Sequence, residues 1–187
     1  CSSDLPMVTQ APVVLTICAD YRRTTAWANH RKAHPGYDNI LSFMNAATDA
    51  LLFTQTFTVL AEAAGLGTCF LGTTVYMPQM IIDTLHLPQL VMPVATLTVG
   101  WPDEKPAQTD RLPLRSIVHS EAFDDYTPEK IDDFYAEKEA LEENKEFVRT
   151  NQVETLAQVF TDIRYTKKDC EAMSTGFMEA LRKQGFI

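Results

Sequence analysis

Residues 39–72 read NILSFMNAATDALLFTQTFTVLAEAAGLGTCFLG. From Asn39 to Ala64 there is no proline and no glycine, and Ala and Leu recur throughout. The stretch predicts one long helix, with Asn39 as N-cap and Gly65 as stop signal. Twenty-six residues at helical rise span roughly 40 Å. Asp49 and Glu62 are the only charges, and Leu, Phe, Ala and Thr fall on every side. A helix that is apolar all round is buried all round. A single small chain has little core in which to hide such a rod, so the reading assigns part of its burial to a second subunit. A membrane span is disfavoured, because Thr, Gln, Asn, Asp and Glu interrupt the segment and no basic residues flank it. After the helix, Gly65-Leu66-Gly67 turns the chain into a short apolar run that ends at Gly72. The glycines follow a helix and Phe70 stands where a third glycine would be, so this is no dinucleotide fingerprint.

The remaining numbers set bounds. A length of 187 residues suits one domain, or one with an appendage, and 45 % hydrophobic residues suffice for a core. The net charge of −9 disfavours nucleic acid and anionic membrane surfaces, which need clustered Lys and Arg. The cysteines Cys1, Cys18, Cys69 and Cys170 form no CxxC. Cys18 and Cys69 lie in apolar runs and read as reduced core residues, which points to a reducing, cytoplasmic compartment. No signal peptide or anchor is visible, and the chain starts at Cys1 without a methionine.

Residues 1–10 read as polar and irregular. Residues 12–20 (PVVLTICAD) predict a strand buried on both faces. Residues 21–38 form a loop or short helix carrying Trp27, Tyr37 and the basic side chains Arg22, Arg23, Arg31 and Lys32. This is either an anion-facing lid or a solvated loop. His30 and His34 have i, i+4 spacing, but Pro35 follows and no HExxH glutamate is present, so no metal site is assigned. Pro78 opens a short amphipathic helix closed by Pro88. Residues 91–100 (VMPVATLTVG) predict a second strong strand, and a proline-rich loop then leads to Arg111-Leu112-Pro113. Thr127-Pro128 starts a charged helix running to about Lys145. Asn151 with Glu154 marks another helix, to about Asp162, and Thr166 with Asp169 marks the last, ending near Gly185. The C-terminal third thus reads as a helical arm or cap.

No hydrolase triad is supported, since GxSxG is absent and no histidine has a catalytic context. The carboxylate pairs Asp124-Asp125 and Asp132-Asp133 sit on a charged segment where solvation explains them. Cys69 has no basic neighbour in sequence to lower its pKa and reads as structural. Arg111, on stiff backbone after the proline-rich loop, is a candidate phosphate clamp.

These pieces in this order resemble the nitroreductase family of flavin enzymes, in particular its oxygen-insensitive, NADPH-preferring nitroreductase and flavin reductase branch. The likeness is carried by Ala11-Pro12 with the strand to Asp20, by Asp49-Ala50 and Ala61-Glu62, and by Gly65-Leu66-Gly67 through Gly72. It continues through Leu87-Pro88, Gly100-Trp101-Pro102, Arg111-Leu112-Pro113 and Val118-His119, to the tail from Tyr165 to Phe186.

The resemblance implies an α+β fold, with a mostly antiparallel central sheet flanked by helices and a helical C-terminal extension. Residues 1–120 would form the core, lacking its N-terminal segment, and residues 121–187 an extension of the same domain. It implies a homodimer with the long helix in the interface and FMN between the chains. Phe70, Leu71, Gly72 and Thr73 would line the flavin ring, and Arg111 would hold the phosphate. Thr109 replaces a lysine usual in the branch, which removes one phosphate contact. Trp27, Tyr37, Arg22 and Arg31 would face the substrate. NADPH or NADH would deliver hydride to flavin N5 and leave, and a nitroaromatic, quinone or free flavin would then be reduced, with no side-chain acid or base required. The family's leading Arg-Ser and Ser-rich segments have no counterpart here. The chain would then be a fragment or a natural truncation, with weaker FMN binding and one sheet element fewer. Two rival readings stay open: a flavin-storing protein of the same fold, and an inactive dimeric scaffold.

Overall fold

The computed structural model describes residues 6–187, and most of these lie in helices or in three strands. The elements fall into two compact units. The first comprises the residues up to Glu104 together with Cys170–Ile187, and the second comprises Lys105–Asp169.

In the first unit, helix α1 (Pro6–Gln10) precedes strand β1 (Val13–Asp20). The expected irregular start is therefore helical over its last five residues, and residues 1–5 lie outside the described ones. Helix α2 is Arg22–His30, α3 is Ile40–Ala63, strand β2 is Gly67–Leu71, helix α4 is Pro78–Leu85 and strand β3 is Val91–Gly100. The strand order is β1-β3-β2, antiparallel throughout. The predicted α+β class with an antiparallel sheet is what forms.

β3 is the central strand and is buried along most of its length, Met92 and Leu97 completely. A proline inside a central strand removes a ladder donor. The sheet accommodates Pro93 with a bulge: Ile17 pairs with Ala95 and Cys18 with Pro93, so Val94 is left over. β1 corrects the expectation of a strand buried on both faces. It lies at the sheet edge, only Ala19 is buried, and Val13 and Val14 are exposed. The continuous apolar run gave no sign of which strand would be covered.

α3 has the predicted boundaries. The Asn39 side chain accepts from the Ser42 N–H at 2.9 Å. At the far end, Gly65 takes φ 85°, Leu66 N–H donates to Ala61 C=O, and Gly65 N–H donates to Glu62 C=O, both at 3.0 Å. That is a Schellman stop, which needs the left-handed conformation glycine adopts freely. Small residues such as Ala47, Thr54, Thr58 and Ala61 are buried. Thr54 and Thr58 donate their hydroxyls to carbonyls one turn back, at 2.7 and 2.9 Å, so the helix itself satisfies its buried polar atoms.

The core of this unit joins residues far apart in sequence. Phe43 and Ala47 of α3, Ile82 of α4 and Met92 of β3 pack with Ala180, Leu181 and Phe186. The last three belong to the end of helix α8 (Lys167–Lys183) and its tail. A second Schellman turn at Gly185 (φ 78°) swings Phe186 inward, where its ring meets Phe43 at 5.5 Å. Buried Gln184 donates to the carbonyls of Pro88 (3.1 Å) and Val91 (2.6 Å), tying the chain end to the entry of β3.

The second unit is held differently. Helix α5 (Pro128–Ala140) starts as predicted at Thr127, whose hydroxyl accepts from Lys130 N–H. It then stops short of Lys145. Leu141 is extended, and a separate helix α6 (Glu142–Asn151) begins. At the break the Lys138 carbonyl accepts from the buried Asn144 amide at 2.7 Å and from the Leu141 N–H at 3.3 Å, so the end of α5 is doubly held. The next helix also differs from expectation. Asn151 belongs to α6, and the true cap is Thr155, in a reciprocal capping box with Gln158. Helix α7 (Leu156–Gln158) continues as a π-helical turn, Val159–Arg164. Arg149 bridges Glu142 and Glu146, each at 2.7 Å, and Arg115 pairs with Asp133 at 2.8 Å. Thr166 caps α8 as predicted, accepting from Asp169 N–H at 3.2 Å.

Candidate functional site

The turn after β2 is where the family resemblance would place the flavin ring. β2 leaves the sheet at Leu71, paired with Thr96 of β3. Thr74 is buried and locks the turn: its hydroxyl lies 3.1 Å from the Leu71 carbonyl and 2.9 Å from the Thr96 hydroxyl. Tyr76 N–H donates to the Thr73 carbonyl at 3.0 Å. Gly72 is exposed, and a Cβ built on it would meet nothing within 4 Å. Phe70 is exposed, while Leu71 and Thr73 are half-buried. The segment 70–73 is therefore a braced turn with an uncovered main chain at Gly72. A flat molecule has room to approach that backbone closely.

A cleft of about 540 Å³ opens between the end of β1, the start of α2 and the middle of α3. Its walls include Cys18, Asp20, Tyr21, Arg23, Asp49 and Phe53. Of these, Arg23 is among the arginines that the resemblance offers to a nucleotide phosphate, while Asp20 and Tyr21 carry no signal of a role in the sequence. The Cys18 thiol is pushed up from its ordinary pKa, by burial first and then by the Asp20 charge, so it is a poor nucleophile. Tyr37 stacks on Tyr21 with ring centroids 4.7 Å apart. Trp27 stands 64 % exposed on α2, Arg22 is exposed at its first position, and Arg31 is exposed at its C-cap. The four predicted substrate-facing residues thus share one short stretch, but none lines the cleft directly.

α2 has no acidic residue in its first turn and two arginines there instead. Cations at the positive end of a helix dipole are unfavourable unless an anion is near. Asp20 supplies part of that charge and accepts from Arg23 N–H at 3.2 Å. His30 closes α2 and His34 lies beyond it in irregular chain.

Arg111 belongs to the second unit and is exposed. Its guanidinium folds back onto its own loop, donating to the Thr109 carbonyl (3.2 Å), the Thr109 hydroxyl and the Asp110 carbonyl (2.9 Å). All three acceptors are neutral oxygens. The Asp110 carboxylate points elsewhere, to Lys138 Nζ at 2.7 Å.

The model of the nitroreductase family matches residues 3–101. The chain belongs to the nitroreductase family. This nitroreductase-family chain superposes on the crystal structure of a candidate oxidoreductase from Bacteroides fragilis NCTC 9343 with a TM-score of 0.95. The two are 60 % identical, over 97 % of this chain and 74 % of that one. It superposes on Bacillus megaterium NfrA2 with a TM-score of 0.77 and 33 % identity, over 96 % of this chain and 70 % of that one. Among curated proteins, the FMN reductase [NAD(P)H] of Bacillus subtilis is 34 % identical over 120 residues, 63 % of this chain and 48 % of that protein. The chain thus spans about half the length of the curated relatives it matches. The nitroreductase fold and its α+β class are shown by these neighbours. No described helix is long and apolar enough to cross a membrane.

Proposed function

We propose that this chain is the flavin-bearing part of an NAD(P)H-dependent oxidoreductase that reduces nitroaromatics, quinones or free flavin in the cytoplasm. FMN is its resident cofactor, and two copies associate along α3. The observation that carries this reading is the braced, uncovered turn at Gly72 in a chain related to an FMN reductase.

The residues present fit FMN on two counts. Gly72 offers bare main chain to a ring edge. Among the described residues, Arg111 hydrogen-bonds only to neutral oxygens and makes no ion pair, so its charge is available to a phosphate, for which the guanidinium fork is well shaped. When bound, FMN supplies hydride acceptance from NAD(P)H and onward transfer to a second substrate in a separate encounter. Around it, Phe70 and Leu71 provide apolar surface that excludes water, and Gly72 and Thr73 place backbone beside the ring. Arg111 anchors the phosphate. Arg22 and Arg31 meet the phosphates of the nicotinamide nucleotide, with Trp27 and Tyr37 as its aromatic surface. The positive end of α2, only partly offset by Asp20, favours an anion beside Arg22. No residue in this account donates or removes a proton.

The α3 surface supports association. Leu41, Leu52, Phe53 and Leu60 are all more than 60 % exposed in the single chain. Large apolar side chains left exposed along one helix are what an interaction surface needs.

Arg111→Ala is expected to weaken FMN binding roughly tenfold to a hundredfold, as for a lost charge-assisted contact. Riboflavin, which lacks the phosphate, should bind both proteins equally. Flavin fluorescence titration measures both, and unchanged FMN affinity would remove Arg111 from the site. Purified protein should be yellow, bleach with NADPH without oxygen and recover its colour with a quinone. A yellow protein that does not bleach is the storage reading, and a colourless one that takes up no FMN is the scaffold reading.

A further inference from the structure

Asp110 is the immediate neighbour of Arg111, and an arginine beside an aspartate ordinarily has its charge partly cancelled. Here the carboxylate is turned away. Asp110 accepts from Lys138 Nζ at 2.7 Å, and both side chains are more covered than the other ion-paired ones of this unit, at 29 % and 27 % exposed. Lys138 lies 28 residues later, in the last turn of α5. Its own carbonyl is held by buried Asn144, so the turn that carries it is fixed from both ends of the α5–α6 break. Arg111 meanwhile bonds to Thr109 and to the main-chain oxygen of Asp110, and not to the Asp110 carboxylate.

We propose that Lys138 is a positioning residue for anion binding: by holding the Asp110 carboxylate it leaves the Arg111 guanidinium uncompensated and ready for a phosphate. The inference rests on the reading that Arg111 holds the FMN phosphate, and adds the device that keeps that arginine available. The Asp110 carboxyl is held below the usual carboxylate range, chiefly by the Lys138 hydrogen bond, with Arg111 the weakest contributor. That is the pattern expected of a carboxylate committed to the lysine. Removing Lys138 frees Asp110 to turn to Arg111 one residue away. Two exposed charges about 4 Å apart in water interact by an amount worth about a fivefold change in affinity.

The test is a set of flavin titrations on the full chain, with folding checked by circular dichroism. Lys138→Met should weaken FMN about fivefold and leave riboflavin unchanged. Lys138→Arg, which keeps the charge, should bind FMN as the parent does. The decisive variant combines Lys138→Met with Asp110→Asn. With no carboxylate left to mask Arg111, FMN affinity should return to within about twofold of the parent. If the double variant stays as weak as Lys138→Met, Lys138 acts by direct contact or by structure and the proposal is overturned. If Lys138→Met binds FMN normally while Arg111→Ala does not, the proposal fails and the phosphate reading survives. If Arg111→Ala also binds normally, both fall.

Discussion

Along α3, Leu41, Leu52, Phe53 and Leu60 stand in solvent in the single chain. Along α5 and α6, by contrast, Lys138, Glu142, Glu146 and Arg149 engage in ion pairs. α3 covers its buried side with Ala and Thr against the sheet and leaves large aliphatic and aromatic groups outward. The α5–α6 pair buries little beyond Phe134 and Asn144 and is held by directional contacts. A surface left apolar and a surface left charged ask for different neighbours: another protein surface in the first case, water and small ions in the second.

The contrast can be broken at several points. Phe186→Ala removes a fully buried ring from the core shared with Phe43 and is expected to cost about 3–5 kcal/mol. Urea unfolding followed by circular dichroism measures it, and a loss below about 1 kcal/mol would mean that α3 does not depend on the chain end. Leu52→Ser with Phe53→Ser should leave monomer stability nearly unchanged, because both side chains are exposed there. Association should nonetheless weaken by about 2 kcal/mol or more per side chain if that surface is buried between copies. Sedimentation velocity over a concentration series reads this directly. Asn39→Ala removes the cap of α3 and should cost about 1 kcal/mol, visible as faster amide exchange in its first turn.

The smallest effect concerns pH. Asp110, Asp124, Glu142 and Glu146 are held below their ordinary pKa values, chiefly by hydrogen bonds from Lys138, Lys130 and Arg149. The native second unit therefore binds fewer protons than the unfolded chain. Its contribution is present at neutral pH and is lost as pH falls through and below the usual carboxylate range, about 4. Exchange protection in α5 and α6 should fall modestly between pH 6 and about 3, and α3 should change less. Equal acid loss in both regions would contradict the contrast.

Much of the fold was legible where a local signal and its structural consequence involve the same few residues. Asn39, Gly65, Thr127-Pro128 and Thr166 each announce a helix boundary, and each boundary forms there. The continuous apolar run of β3 likewise forms a central strand. Readings failed where the deciding contact is remote or competes with another. The exposure of β1 depends on which strand lies in the middle. The break at Leu141 depends on Asn144 reaching back to Lys138 in a run of Glu and Lys that contains no breaker. The α7 cap was readable, since Thr155 and Gln158 have capping-box spacing, but Asn151 and Glu154 four residues earlier present a competing signal. For the site, the glycine turn and Arg111 could be picked out singly. The Lys138–Asp110 pair, separated by 28 residues, could not.

The central claim is that two copies bury the outward face of α3 and so complete a flavin site. Sedimentation equilibrium of the full chain at low micromolar concentration, followed in the flavin absorbance bands after FMN addition, tests it most directly. The account predicts a species with the mass of two chains carrying the flavin colour. A colour-bearing species with the mass of one chain, unchanged as concentration rises, would contradict it.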